Sequence, residues 1–140
     1  MVNPPKEGVN SPEVVEKYKK EVEMIFSGLQ KRSKILEEKL NLIPGLKTNL
    51  IEGAMYAYAR IFLTDSAIKA AKEKGVEPDA MYCEQVLRET GLVTVPGSGF
   101  KQKEGTYHFR LTNLIYNTDE FDKALDSLKT FNENFFKKYP

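Results

Sequence analysis

The feature that most constrains this chain is a run of apolar residues near its start. Val15, Tyr18, Val22, Ile25, Leu29, Leu36 and Leu40 recur at spacings of three, four or seven. That is the period of one helical face. Ser11, Pro12 and Glu13 supply an N-cap, a first-turn proline and an acidic first turn. Pro44-Gly45 stops the pattern. The prediction is a helix over 11–43, with Gly28 as a point of weakness midway. Some 30 helical residues reach roughly 45 Å at 1.5 Å per residue, more than a compact domain of 140 residues requires. A helix of that length more often joins two bodies than sits inside one. Residues 1–10, with Pro4, Pro5 and Gly8 among them, read as an extended lead-in.

Past the helix the period changes. "TNLIEGAMYAYARIFL" is rich in aromatic and branched residues and predicts strands near 48–51 and 54–62, with Glu52-Gly53 as a break. Thr64-Asp65 opens a short helix that ends at Gly75, and Pro78-Asp79 opens another that ends at Gly91. A short buried strand near 92–95 and an alternating one near 106–114 form a hairpin whose tip loop covers 96–105. Thr118-Asp119-Glu120 caps a last amphipathic helix bearing Phe121, Leu125, Leu128, Phe131 and Phe135. This order predicts one two-layer α/β domain over 11–140. Its sheet has three or four mostly antiparallel strands, with helices packed on one face and the long helix ahead of it.

Composition removes several function classes. With 21 basic and 20 acidic residues the net charge is +1, and lysines 17, 19, 20, 31, 34 and 39 interleave with glutamates. That is a solvated helix face rather than a phosphate-binding stripe, so no nucleic-acid partner is expected. Cys83 stands alone and His108 is the sole histidine, which excludes a disulfide framework and a cysteine-rich metal site. No apolar run suggests a membrane partner, and the first residues carry no signal peptide. The expected setting is cytoplasmic.

The chemistry concentrates in "VPGSGFKQKEGTYHFRLT" (95–112). Alternation places Tyr107, Phe109 and Leu111 on one face of the strand and Thr106, His108, Arg110 and Thr112 on the other. No helix is left to cover that second face, so something else docks there. Arg110 sits mid-strand and needs a partner, either an acid of the same domain or the carboxylate of a ligand held in two-point contact. Arg60 shares a strand face with Tyr56 and Tyr58 and faces the same choice. Arg32 and Arg88 lie in predicted helices, where surface ion pairs are the simplest reading. "PGSG" reads either as a turn or as a nest of backbone N–H groups for an anion. His108 alone reads as a hydrogen-bonded structural residue.

Three segments carry a resemblance to a known family. "GAMY", "VPGSGF" and "EGTYHFR", with "MVNPP" and "IPGL" (43–46), are similar to the C-terminal small domain of alanine aminotransferase. That enzyme is a pyridoxal-phosphate aminotransferase of the aspartate aminotransferase fold type. The resemblance implies amino-group transfer between L-alanine and 2-oxoglutarate by the full-length enzyme, a homodimer with its cofactor in a large domain of the same chain. It implies that Arg110 binds the substrate α-carboxylate and that Gly97, Ser98, Gly99 and Phe100 border the active-site mouth. The Schiff-base lysine and the phosphate-binding residues of the family have no counterpart here. The resemblance therefore implies no catalytic, cofactor-binding or metal-binding residue in these 140, no bound pyridoxal phosphate and no activity for this piece alone. The alternative is a stand-alone α/β binding or interaction module of the same shape. Ala59 stands where the family usually has proline, and Lys101 and Lys103 replace the common glycine and arginine.

Overall fold

The computed structural model describes residues 3–53 and 55–140. Helix α1 runs Pro12–Leu42, strands β1 and β2 run Leu46–Thr48 and Tyr56–Ile61, and helices α2 and α3 run Asp65–Glu73 and Pro78–Thr90. Strand β3 is Val95–Pro96, a 3-10 turn covers Gly97–Phe100, β4 is Tyr107–Thr112 and α4 is Thr118–Lys138. The sheet is antiparallel throughout, in the order β1-β2-β4-β3. Helices cover one of its faces, as the sequence pattern predicts.

Alternation decides which face that is. Ala57, Ala59 and Ile61 of β2 and Phe109 and Leu111 of β4 point into the core, and Tyr56, Tyr58 and Arg60 point out. Opposite them Leu36 and Leu40 of α1, Met81, Tyr82 and Val86 of α3, and Phe121, Leu125, Leu128, Phe131 and Phe135 of α4 are all buried. Tyr82 is the hub. Its ring lies 5.9 Å from Phe109, 5.4 Å from Phe131 and 5.0 Å from Phe135, while its hydroxyl donates to Asn132 Oδ1 at 2.7 Å. A buried tyrosine needs such an acceptor, and here it has one. Ala59 pairs with Thr48 on one side and Phe109 on the other. A proline there would remove a backbone donor from the middle of the sheet, so the alanine suits β2.

Several sequence expectations shift. β1 sits at 46–48 rather than 48–51, because Leu46 and Thr48 are its buried residues. β3 has two residues instead of four, cut short where Pro96-Gly97 turns into the 3-10 helix. Of the strand expected over 54–62, residue 54 lies outside the described residues and β2 takes up 56–61. Residues 1 and 2 of the lead-in also lie outside them. The remainder of the lead-in is not extended throughout: Asn10 N–H donates to Lys6 O and Asn10 Oδ1 accepts from Lys6 N–H, closing a turn. Asn117, not Thr118, caps α4, accepting from the N–H groups of Asp119 and Glu120. Gly28 does not interrupt α1, which is continuous over its 31 residues.

Arg32 departs further from expectation. Instead of a surface ion pair it is buried, donating through Nε to Asn113 O at 2.7 Å and through Nη1 to Tyr116 O. A Cβ on Gly28 would stand 3.1 Å from that Nη1, so the glycine leaves room for the guanidinium. Arg88 does form the expected surface pair, with Glu84. Arg32 also marks a division of α1. From it onward the helix packs on β1 and α4, whereas Val14, Tyr18, Met24, Ile25 and Phe26 before it are exposed.

The turn after α1 is tightly specified. Gly45 has φ +79°, and a Cβ there would lie 2.5 Å from Cε2 of the Phe136 ring. Left-handed backbone costs a non-glycine residue roughly 1–2 kcal/mol, and the ring must also move. Gly45→Ala is expected to lose about 2 kcal/mol of stability in all, read as a lower denaturant midpoint at unchanged slope. A midpoint equal to the parent's would contradict this packing.

Candidate functional site

The uncovered sheet face is built from two strands in register. Tyr58 pairs with Arg110, Arg60 with His108 and Tyr56 with Thr112. Arg110 is half-buried, with its guanidinium carbon 4.4 Å from the centre of the Tyr56 ring and 4.8 Å from that of Phe100. Among the described residues no carboxylate comes within ion-pair distance of it. The internal salt bridge that the sequence leaves open is therefore not what holds this arginine. Two aromatic faces do, by cation–π attraction, and they leave its N–H fork unspent.

Phe100 reaches that position because the glycine loop lies down on the sheet. Gly97–Phe100 forms one 3-10 turn, and Lys101 follows with φ 53°. A Cβ on Gly97 would collide with the Gln102 side chain and stand 2.6 Å from Tyr58 Oη and 2.9 Å from His108 Cβ. Only a residue without a side chain permits this approach. Gly99 meets nothing within 4 Å, so its Cβ-free surface is not needed for packing.

Asp79 holds the loop, although the sequence pattern marks it only as a first-turn acid. Its carboxylate is fully buried. Oδ2 accepts from Ser98 N–H at 2.6 Å and from Gln102 Nε2 at 2.8 Å, and Oδ1 accepts from Ala80 N–H at 3.0 Å. Of the two readings of "PGSG", the structure shows the turn: among the described residues its one N–H donated to an anion, that of Ser98, goes to a carboxylate of the chain itself, seated at the N-terminus of α3, where the helix dipole favours it. The partners lie 19 and 23 residues away, and no local pattern announces such contacts.

Gln102 passes the order on to His108. With its amide nitrogen given to Asp79, its Oε1 stands 2.9 Å from His108 Nδ1. Nδ1 therefore carries the proton, and Nε2 is the nitrogen free to gain one. The imidazole stacks on Tyr58 at 4.8 Å and 7°, and Tyr58 meets Phe100 edge-on at 6.1 Å. Burial holds the histidine below its ordinary pKa, helped by the Arg60 charge and opposed by Asp79. Burial and the Asp79 charge likewise raise the Tyr58 hydroxyl, which stays neutral.

A sign follows for stability. The unfolded chain takes up a proton on His108 at higher pH than the folded one, so folding weakens as pH falls through the window just below the ordinary histidine value. Above that window His108 contributes no pH dependence. Because it is the sole histidine, one NMR titration of its ring checks this. A midpoint at or above the free-peptide value would be inconsistent with the stack.

Cys83 is buried, and burial pushes its thiol up to about 11, which leaves no thiolate for nucleophilic work. Among the described residues no cluster of three or more metal-ligating side chains occurs, and no helix is long and apolar enough to cross a membrane.

Comparison with known proteins gives this architecture a class. An alanine aminotransferase from Pyrococcus furiosus superimposes on 90% of this chain and 27% of its own at a TM-score of 0.63 and 23% identity. An aromatic aminotransferase from Pyrococcus horikoshii does so on 85% of this chain and 28% of its own at 0.64 and 24%. The fold is an aminotransferase fold. No family model matches the chain, but individual sequences do. Alanine aminotransferase 2-like of Danio rerio is 43% identical over 139 residues, and glutamate–glyoxylate aminotransferase 1 of Arabidopsis thaliana is 40% identical. Each match takes in 99% of this chain and 25% and 28% of the relative. The chain is a homologue of the alanine aminotransferases that spans about a quarter of their length.

Proposed function

We propose that this chain is the C-terminal small domain of an alanine:2-oxoglutarate aminotransferase, and that Arg110 grips the substrate α-carboxylate. One observation carries the reading. A half-buried arginine on an open sheet face lies between two aromatic rings with no carboxylate of its own. A planar anion in two-point contact completes such a fork, and both substrates of the reaction carry one.

On this reading pyridoxal phosphate is held by the large domain rather than by these residues. The Ser98 N–H of the glycine loop is committed to Asp79, and Lys47, the lysine lining the groove beside His108, is an exposed strand residue. Bound elsewhere in the enzyme, the cofactor supplies the electron sink for amino-group transfer. The share of these residues is to bind and orient. Tyr56 and Phe100 fix the Arg110 plane, and the 97–100 turn borders the mouth of the site. The exposed apolar residues of the first half of α1 support its role as a connector to the large domain, since bared apolar surface of that kind marks a contact. The full-length protein is then a homodimer acting on amino and 2-oxo acids.

The test compares the 140 residues alone with the same residues joined to a cofactor-bearing large domain, both supplied with pyridoxal phosphate. The joined protein is expected to form pyruvate from alanine and 2-oxoglutarate. The isolated chain is expected to show neither turnover nor a borohydride-reducible lysine adduct. A stoichiometric adduct at one lysine of the isolated chain would overturn the reading. A joined protein that binds cofactor yet transfers no amino group would favour the binding-module alternative.

A further inference from the structure

Beside the Arg110 site the same sheet face carries a second cationic cluster. Lys47 of β1, Arg60 of β2 and His108 of β4 are direct cross-strand partners, Lys47 with Arg60 and Arg60 with His108. They form a row across three strands. Like charges placed directly opposite on one face of an antiparallel pair repel, and opposite charges are the stabilising choice. Here no acid intervenes: among the described residues neither Lys47 nor Arg60 has a carboxylate within ion-pair distance. The charges that face His108 are Arg60 from β2, beyond which lies Lys47 of β1, and Asp79 from α3, which is already engaged by Ser98, Gln102 and Ala80.

The row lines a groove of about 340 Å³, whose other walls are Asn49, Tyr58 and Phe62. The Arg60 guanidinium lies over the Phe62 ring at 4.8 Å, directed away from Arg110 by the Tyr58–His108 stack between them. Cations across the strands and aromatic walls beside them suit a short carbon chain with a charged group at each end. Phosphate is the poorer match. It is usually cradled by a run of backbone N–H groups or a helix N-terminus, and strand side chains line this groove.

We propose that the Lys47–Arg60–His108 groove is a binding site for a small aliphatic dicarboxylate, separate from Arg110. Arg60 takes one carboxylate with its fork, Lys47 neutralises the other, and the carbon chain lies along Phe62 and Tyr58. Protonation of His108 at Nε2 adds a third positive charge, so binding strengthens as pH falls through the histidine titration. The site does not depend on the role of Arg110 in catalysis.

The test is an NMR titration of the 140-residue chain with glutarate at constant ionic strength, following the His108 ring and the Arg60 side-chain N–H. A saturable shift at both groups is expected, with a rise in the His108 midpoint. Arg60→Gln and Lys47→Gln should each weaken binding at least about tenfold, since each removes one of the two charges that hold a carboxylate. Neither residue is in the core, so the fold is retained. Arg110→Gln should leave affinity within about twofold of the parent, because the Arg110 guanidinium lies against Tyr56 and Phe100 and does not line the groove. Inorganic phosphate should give only a weak, non-saturating shift. The proposal falls if the shift does not saturate, if it survives Arg60→Gln, or if Arg110→Gln abolishes it. Phosphate binding as tight as glutarate would overturn the dicarboxylate assignment.

Discussion

Arg110→Lys, in an enzyme where this domain is joined to its large domain, should lower kcat/KM for alanine and for 2-oxoglutarate together. The loss expected is on the order of 2–4 kcal/mol of transition-state stabilisation, or roughly thirtyfold to a thousandfold. The size follows from geometry. The guanidinium is held against the Tyr56 and Phe100 rings, and on the proposed reading its fork meets both oxygens of a carboxylate at once. An ammonium brings charge but one point of contact. Cofactor binding should be unchanged, because the proposed role of Arg110 is confined to substrate. Arg60→Lys is the matched control, since that residue sits on the same sheet face but outside the aromatic clamp. Equal losses for the two variants, or an Arg110→Lys enzyme with parental KM and kcat, would sink the assignment. Arg110 would then be a packing residue that happens to face outward.

What can be foreseen of this molecule divides along the range of the forces involved. The sequence 107–112 reads correctly as a strand because alternation is local, and its two faces must meet different surroundings. Helix α1 reads correctly because its apolar stripe repeats turn after turn and Pro44-Gly45 ends it. The uncovered face and its arginine follow from the same matching of helices against sheet. Arg32 escapes such reasoning for a physical reason: helical period assigns polar residues to solvent, and the carbonyls that accept from Arg32 belong to residues 113 and 116. Nothing within a turn or two of position 32 reports them. β3 is shorter than its apolar composition suggests because Gly97 must fold back against Tyr58 and His108, a demand made by the neighbouring strands. Asp79 escapes for the same reason as Arg32. An acid after proline at a helix start normally faces water, and only the arrival of residues 98 and 102 buries it.

That burial makes Asp79 the residue whose loss should cost the fold most locally. Asp79→Ala strands the Ser98 N–H and the Gln102 amide, two donors aimed at an anion that is no longer there. Each unsatisfied buried group costs about 1–3 kcal/mol, so a destabilisation of about 3 kcal/mol is expected in denaturant unfolding. Asp79→Asn is the sharper test. It preserves volume, but the substituted side chain has one oxygen to present, either to Ala80 or to the Ser98–Gln102 pair. Its NH2 must then confront the remaining donors. The amide is therefore expected to lose nearly as much as alanine, where a merely space-filling role would make it harmless. The consequence should travel outward along the bonds already described. With Gln102 released, His108 Nδ1 loses the acceptor that fixes its tautomer, and the 97–100 turn loses its anchor. Phe100 then no longer roofs Arg110. The Ser98 amide should exchange with solvent much faster in both variants, and the His108 ring should titrate with a changed midpoint. If Asp79→Asn keeps parental stability and a slowly exchanging Ser98 amide, the carboxylate is not what binds the glycine loop to the sheet, and Gly97 packing against Tyr58 holds it unaided.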